Sequence, residues 1–281
     1  MKRLILIFGI IFGYIMAYAS SSLSTAEFVK MLKSKADLVV VDCARPQNYA
    51  QAHIKGAINI WQQDLFIGKP DGMLKSPEEL AAYFGSKGIG ENSPIVLYDD
   101  GSNKYTSRLY FVLKMLGAKD VKILTKNMQE WSKFRVPLTS KPSSRPKTTF
   151  NLNLQPDVVI KIEEFKVKLQ KGGFTLIDTR KPEEYAGNTD KSKGHLPGAI
   201  NIDYREFLNK NNDYKSADEL RAIPALTNLS SEDEVILYCN SGVLASVGYY
   251  ALTEVLGFKK VRLLDGGYNY WVLDENNPIE K

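Results

Sequence analysis

The chain has 281 residues, 44% of them hydrophobic and 25% charged, with a formal net charge of +5 at pH 7. That is enough for one large domain or two ordinary ones with real apolar cores, and it is the composition of a globular protein. The lysines are spread along the chain and mixed with acids, so the small positive balance reads as solvated surface charge and excludes a nucleic-acid footprint.

At the start, Lys2 and Arg3 precede an apolar run from Leu4 to Met16, and Ala17-Tyr18-Ala19 offers a small-x-small cleavage site before Ser20. Residues 1–19 therefore have the layout of a secretory signal peptide. The expectation is cleavage after Ala19 and export, with a periplasmic location. The run is short for a spanning helix and no later stretch approaches that length, so no stable membrane insertion is expected after cleavage.

Ser24 and Glu27 then form a capping box that opens a helix. Leu38-Val39-Val40-Val41-Asp42 is a short β-branched run with the character of a buried strand. His53 to Ile60 reads as a turn leading into another strand. Ser76 caps a helix with Pro77 at its first position. Pro94 to Tyr98 is a third strand, Thr106 to Leu116 a helix stopped by Gly117, Val121 to Leu124 a fourth strand, and Met128 to Phe134 a last short helix.

The second half repeats this order. Leu176-Ile177-Asp178 matches Val40-Val41-Asp42, Gly194 to Ile202 matches Ala52 to Ile60, and Ser216 to Leu220 matches Ser76 to Leu80. Val235 to Tyr238 matches Ile95 to Tyr98, Gly257 matches Gly117, and Trp271 matches Trp131. Two copies of one domain follow, spanning 22–135 and 152–281. Strands alternate with helices, so each copy is expected to be α/β with a mainly parallel sheet flanked by helices. Between them, residues 136–151 are rich in Pro, Ser, Thr and Lys and read as a surface linker.

The chemistry-bearing stretch is Tyr238-Cys239-Asn240-Ser241-Gly242-Val243-Leu244. A strand delivers Cys239 into a small, polar loop at the mouth of a helix. Backbone N–H groups of such a loop point inward and favour an anion, so the expectation is a thiolate that is nucleophilic near neutral pH. Gly242 lets the loop turn inward without a Cβ. The first copy has Asp99 at the matching position, a carboxylate in place of the thiol, and a carboxylate would repel an anion from such a loop. Cys43, two residues before Arg45, aligns with Thr179 and reads as a packed thiol; both cysteines are expected to be free thiols rather than a bridge.

These motifs resemble the tandem-domain rhodanese sulfurtransferases, which include thiosulfate and 3-mercaptopyruvate sulfurtransferases. Asp178-Thr179-Arg180, the Gly194 to Asn201 run, the Cys239 loop, and Leu264-Asp265-Gly266-Gly267-Tyr268 followed by Trp271 carry the likeness. The resemblance implies an inactive first domain and a catalytic second one. It implies a persulfide on Cys239, formed from thiosulfate or 3-mercaptopyruvate and passed to cyanide or a thiol, with no cofactor and no metal. It assigns donor binding to Arg180 and to the loop residues Asn240, Ser241, Gly242, Val243 and Leu244; the competing reading of Arg180 is a structural ion pair. It also offers His53, paired with Ser241, as a proton relay, against the plainer reading that His53 and His195 each tie a turn together. The partners implied are a small sulfur donor and acceptor, with a protein acceptor as an alternative if the chain is a sulfur carrier. Glu184 stands where the mercaptopyruvate branch has a second arginine, and Leu244 where it has Thr, so the donor stays open. A Cys-dependent phosphatase would need a longer loop closed by arginine, whereas positions 244 and 245 are Leu and Ala.

Overall fold

In the computed structural model, which describes residues 21–125 and 128–281, each half of the chain builds one five-stranded parallel sheet. The signal peptide expected at 1–19 lies outside the described residues. The first half contains β1 (Ser22–Leu23), α1 (Thr25–Ser34), β2 (Val39–Asp42), α2 (Pro46–Gln51), β3 (His53–Ile54), β4 (Ile58–Asn59), α3 (Pro77–Ser86), β5 (Pro94–Tyr98), α4 (Lys104–Met115), β6 (Asp120–Leu124), α5 (Met128–Lys133) and β7 (Leu138–Thr139). The second contains β8 (Val159–Ile160), α6 (Ile162–Lys171), β9 (Thr175–Asp178), α7 (Pro182–Tyr185), β10 (Ile200–Asn201), α8 (Ala217–Arg221), β11 (Glu234–Tyr238), α9 (Ala245–Tyr250), β12 (Lys260–Leu264) and α10 (Gly267–Trp271).

The sheets run β1-β6-β5-β2-β4 and β8-β12-β11-β9-β10, the same order in each copy. Registers repeat as well: Asp42 lies beside Tyr98 and Asp178 beside Tyr238. The inner strands are β-branched and aliphatic because helices cover both faces, so neither side can be polar. The expected capping box forms at Ser24/Glu27, and the caps at Ser76 and at its counterpart Ser216 are capping boxes as well, with Glu79 and Glu219. Each ties two orphan N–H groups at a helix start to side chains.

The segment 136–151 is more than a loose surface linker. β7 pairs antiparallel with β3, and Phe150 is buried against Phe84. The sequence hid this because one short strand and one aromatic anchor produce no periodic pattern.

The two domains share one apolar core. It runs from Val39, Leu97 and Phe111 of the first to Leu237, Val247 and Tyr250 of the second. Helices α4 and α9 make the contact. Tyr110 meets Tyr250 edge-on at 4.9 Å, and Phe111 meets Tyr249 at 4.9 Å. An offset of 140 residues relates Tyr98 to Tyr238 and Trp131 to Trp271, and by it Tyr110 touches its own counterpart. Contact between equivalent residues is what an approximate two-fold between the copies produces. The loop preceding α3 and its counterpart preceding α8 each lean on the other domain. Leu74 N donates to Asp265 (3.1 Å), Asn269 donates to the Asp71 carbonyl (2.9 Å), and Asn103 Nδ2 donates to the Asn212 carbonyl.

Candidate active site

Cys239 directly follows β11 at the carboxyl edge of the sheet, where ligands of parallel α/β folds gather. It is only 1% exposed. The backbone N–H groups of Ala245, Ser241 and Leu244 point at its sulfur. Gly242 makes this curl with φ +80°, a left-handed conformation that other side chains rarely adopt. Ser246 Oγ donates to the Gly242 carbonyl at 2.8 Å, and Tyr268 N donates to the Cys239 carbonyl at 2.9 Å, so the loop is held from two sides.

Burial sets the acidity of this thiol. Enclosure pushes the Cys239 pKa above its ordinary value, and the three N–H groups and the Arg108 guanidinium offset that only in part. The expected thiolate-favouring shift is thus corrected: the N–H groups act as anticipated, but desolvation is larger. Cys43 is fully buried, and enclosure together with Asp99 and Asp42 raises its pKa further still. Both cysteines are free.

The first copy holds an anion in the corresponding loop. Asp99 accepts hydrogen bonds from the N–H groups of Gly101 (2.8 Å), Asn103 (3.2 Å) and Tyr105 (3.2 Å), and from Ser102 Oγ (3.2 Å). Positions 101 and 105 match 241 and 245 by the same offset. Burial, then Asp100, pushes the Asp99 pKa up to about 6, so the carboxylate remains an anion at pH 7. The first-domain loop is therefore filled by its own side chain.

The residues expected around Cys239 separate. Ser241, Gly242, Val243 and Leu244 remain in the loop. Asn240 turns its amide away to Glu184 Oε1 at 2.8 Å. Arg180 is fully buried. Its Nε and Nη2 engage Asp178 (2.6–3.1 Å), Nη1 donates to Ser192 Oγ (3.0 Å), Nη2 also donates to the Gly194 carbonyl (2.8 Å), and the guanidinium lies 3.9 Å over the Tyr268 ring. With its three nitrogens all committed to protein, Arg180 ties β9 to the Gly194 turn. The ion-pair alternative for Arg180 thus fits the geometry, with Asp178 as its partner.

His53 is likewise a turn residue. Its Nδ1 meets the Tyr49 carbonyl at 2.7 Å, its Nε2 meets the Lys141 carbonyl at 3.1 Å, and its ring stacks on Tyr49 at 3.7 Å. Both ring nitrogens are taken up by carbonyls, so the proposed relay with Ser241 is not assembled. His195 repeats the arrangement, stacked on Tyr185 at 3.8 Å with Nδ1 on the Tyr185 carbonyl. The matching tyrosines Tyr98 and Tyr238 accept the backbone N–H groups of Ile54 and Leu196. Trp131 and Trp271 are core residues, at 2% and 1% exposure.

One residue escaped the sequence reading. Arg108 of α4 reaches from the first domain to the Cys239 loop. A Cβ placed on Gly242 would come 2.7 Å from Arg108 Nη1. No local pattern marks it, since it sits in a buried helix of the other copy. Only the break in the repeat, Arg108 against Gly248, could have drawn attention to it.

Among the described residues no helix is long and apolar enough to cross a membrane, and no group of acids, histidines and cysteines has the arrangement of a metal site.

Known proteins share this architecture. Residues 24–134 and 161–274 each match the family model of the rhodanese-like domain. The chain is 30% identical over 254 residues to the "Putative thiosulfate sulfurtransferase" of Haloferax volcanii, covering 87% of this chain and 88% of that protein. It is 28% identical over 248 residues to the sulfur carrier protein TtuD of Thermus thermophilus, covering 83% and 87%. The crystal structure of the 3-mercaptopyruvate sulfotransferase SseA from Escherichia coli superimposes with a TM-score of 0.79 at 25% identity, covering 89% of this chain and 99% of that one. With both halves matched by the same family model and the tandem arrangement present in three dimensions, the chain belongs to the rhodanese-like family, as a tandem-domain rhodanese sulfurtransferase.

Proposed function

We propose that Cys239 carries a sulfane sulfur as a persulfide, taken from thiosulfate or 3-mercaptopyruvate and delivered to cyanide or a thiol. The observation that carries this reading is the N–H cradle around the Cys239 sulfur, whose counterpart in the first domain holds the Asp99 carboxylate. A loop that accommodates a buried anion in one copy is suited to hold thiolate and persulfide in the other.

With thiosulfate, the thiolate forms a bond to the outer sulfur, the sulfur–sulfur bond of the donor breaks, and sulfite leaves with the electron pair. With 3-mercaptopyruvate, the carbon–sulfur bond breaks, the electron pair passes to the enolate of pyruvate, and the proton of the transferred S–H completes pyruvate. In the second half-reaction the acceptor attacks the outer sulfur and Cys239 returns to thiolate. The loop N–H groups supply the charge stabilisation, and the proposed scheme calls for no cofactor.

The test is intact-mass spectrometry of the reduced protein after brief exposure to each donor. A gain of one sulfur atom on Cys239 is expected, and the more efficient donor identifies the branch. No gain with either donor would overturn the small-donor reading. A second reading, a sulfur carrier loaded by a protein, is favoured by the likeness to TtuD. Persulfide formation only in the presence of a protein donor would select it. The signal-like layout of Met1 to Ala19 supports an exported, periplasmic activity, and a mature N-terminus at Ser20 in protein recovered from the periplasm would bear it out.

A further inference from the structure

Arg108, against the Cys239 loop, and Arg180, against the Gly194 turn, are both buried but are in opposite states. Arg180 has its three guanidinium nitrogens engaged by Asp178, Ser192 and Gly194. Arg108 is only 2% exposed, yet its sole hydrogen bond among the described residues is stretched, 3.5 Å from Nη2 to the Gly72 carbonyl, and its Nε is buried without a partner. A guanidinium presents five N–H donors, and buried donors left unmet are costly. Such a group is built to meet an acceptor that arrives from outside. Phe66 and Phe111 bracket its guanidinium at 5.4 and 5.6 Å, holding the planar group through their ring faces without occupying its donors.

The repeat shows that this cation belongs to the cysteine side alone. By the 140-residue offset the counterpart of Arg108 is Gly248. A Cβ there would already lie 3.1 Å from the Phe207 ring and 3.2 Å from Leu237, leaving no space for a longer side chain. Thus the first-domain loop, filled by Asp99, has a glycine as the counterpart of this cation, whereas the loop bearing Cys239 meets an arginine. Gly242 completes the pairing, since the guanidinium rests where a side chain at that position would stand.

We propose that Arg108, supplied by the first domain, grips the anionic end of the sulfur donor beside Cys239. Its ligand is an oxyanion, the sulfonate-type end of thiosulfate or a carboxylate. The inference rests on the sulfurtransferase reading of Cys239 and names the recognition group for it. In the covered state the Gly72 carbonyl occupies one donor of Arg108, and the incoming oxyanion replaces that weak acceptor with charge-assisted hydrogen bonds. Burial lowers the Arg108 pKa to about 10, against the pull of Asp265 and Cys239, so the group stays cationic at neutral pH. The other ionisable groups bearing on this corner are Asp265 at the end of β12, with Lys161 behind it, and Asp71 on the covering segment, engaged by Lys69.

The experiment compares alkylation of Cys239 by anionic iodoacetate and neutral iodoacetamide in the full-length protein, across pH. No sulfur donor is involved, so its outcome is independent of whether sulfur transfer occurs. Arg108→Gln is expected to lower the iodoacetate-to-iodoacetamide rate ratio by about tenfold or more, the worth of one charged hydrogen bond, and to move the alkylation midpoint to higher pH. Arg108→Lys should retain part of the ratio, and provides the measurement if the glutamine variant does not fold. Arg180→Gln should lower the melting temperature and leave the ratio in place. An unchanged ratio in folded Arg108→Gln, or a ratio in Arg108→Lys as low as that of a cysteine in an unstructured peptide, would overturn the proposal. So would loss of the anion preference in Arg180→Gln instead.

Discussion

Cys239 is governed by two opposed effects of similar origin. Burial excludes water from the sulfur and disfavours its charge, while the N–H groups of Ala245, Ser241 and Leu244 replace part of that hydration with fixed dipoles. Because burial is the larger, the thiol ionises above its ordinary value, and the thiolate fraction grows as pH rises. The rate of iodoacetamide alkylation should therefore climb with pH through a midpoint above that of an unstructured cysteine; a midpoint below it would show that the loop outweighs burial in solution. Cys43 has no loop of this kind. It is fully enclosed, and its sulfur makes a long hydrogen bond, 3.9 Å to the Val41 carbonyl. Cys239→Ser should abolish sulfur transfer and Cys43→Ser should leave most of it, as measured by thiocyanate formation from cyanide. Equal loss in both variants would refute a single active cysteine.

At the scale of elements, the strand–loop–helix unit of β11 and α9 works because one glycine serves two ends. Gly242 takes φ +80°, and its missing Cβ leaves room for Arg108. Gly242→Ala should cost about 1–2 kcal/mol for the left-handed backbone alone. The displaced guanidinium should make transfer activity fall more than the melting temperature implies. Wild-type kcat/KM in a folded Gly242→Ala variant would remove functional weight from that contact. The unit was legible beforehand because strand, polar loop and helix follow one another locally. Its precise donors were less so. Ala245 is apolar in sequence, and only the turn of the backbone brings its N–H to the sulfur beside those of Ser241 and Leu244. Asn240 itself is drawn off by Glu184, a residue of α7 far away in the chain.

On the scale of the whole molecule, the domains are two copies that fold around a common core. The α4–α9 contact buries Tyr110, Phe111, Tyr249 and Tyr250 against one another, and Tyr214 stacks on Tyr250 at 4.3 Å beside them. Neither half should therefore melt by itself. Calorimetry should show one transition, and Phe111→Ala should lower it as a unit by the about 3–5 kcal/mol typical of a buried aromatic truncation. Two separated transitions in the wild-type protein would contradict a shared core. The arrangement also gives the first domain a reason to persist without a nucleophile. It closes the Cys239 loop through the segment around Gly72 and Leu74, and it supplies Arg108.

Much was set by the sequence alone: the duplication, the parallel α/β class, the capping boxes, and the cysteine at a strand exit. Each is a local pattern, or a pattern repeated, and hydrophobic period and turn chemistry are properties of neighbours in the chain. The tertiary structure alone decided between the arginines. Arg180 stands in the motif yet is consumed by Asp178 and the Gly194 turn, while Arg108 lies in an unremarked helix and is left with open donors at the cysteine loop. Which N–H groups of a guanidinium are spent depends on what packs around it in space. Here that was settled by helices meeting across more than a hundred residues of chain, which no periodicity encodes.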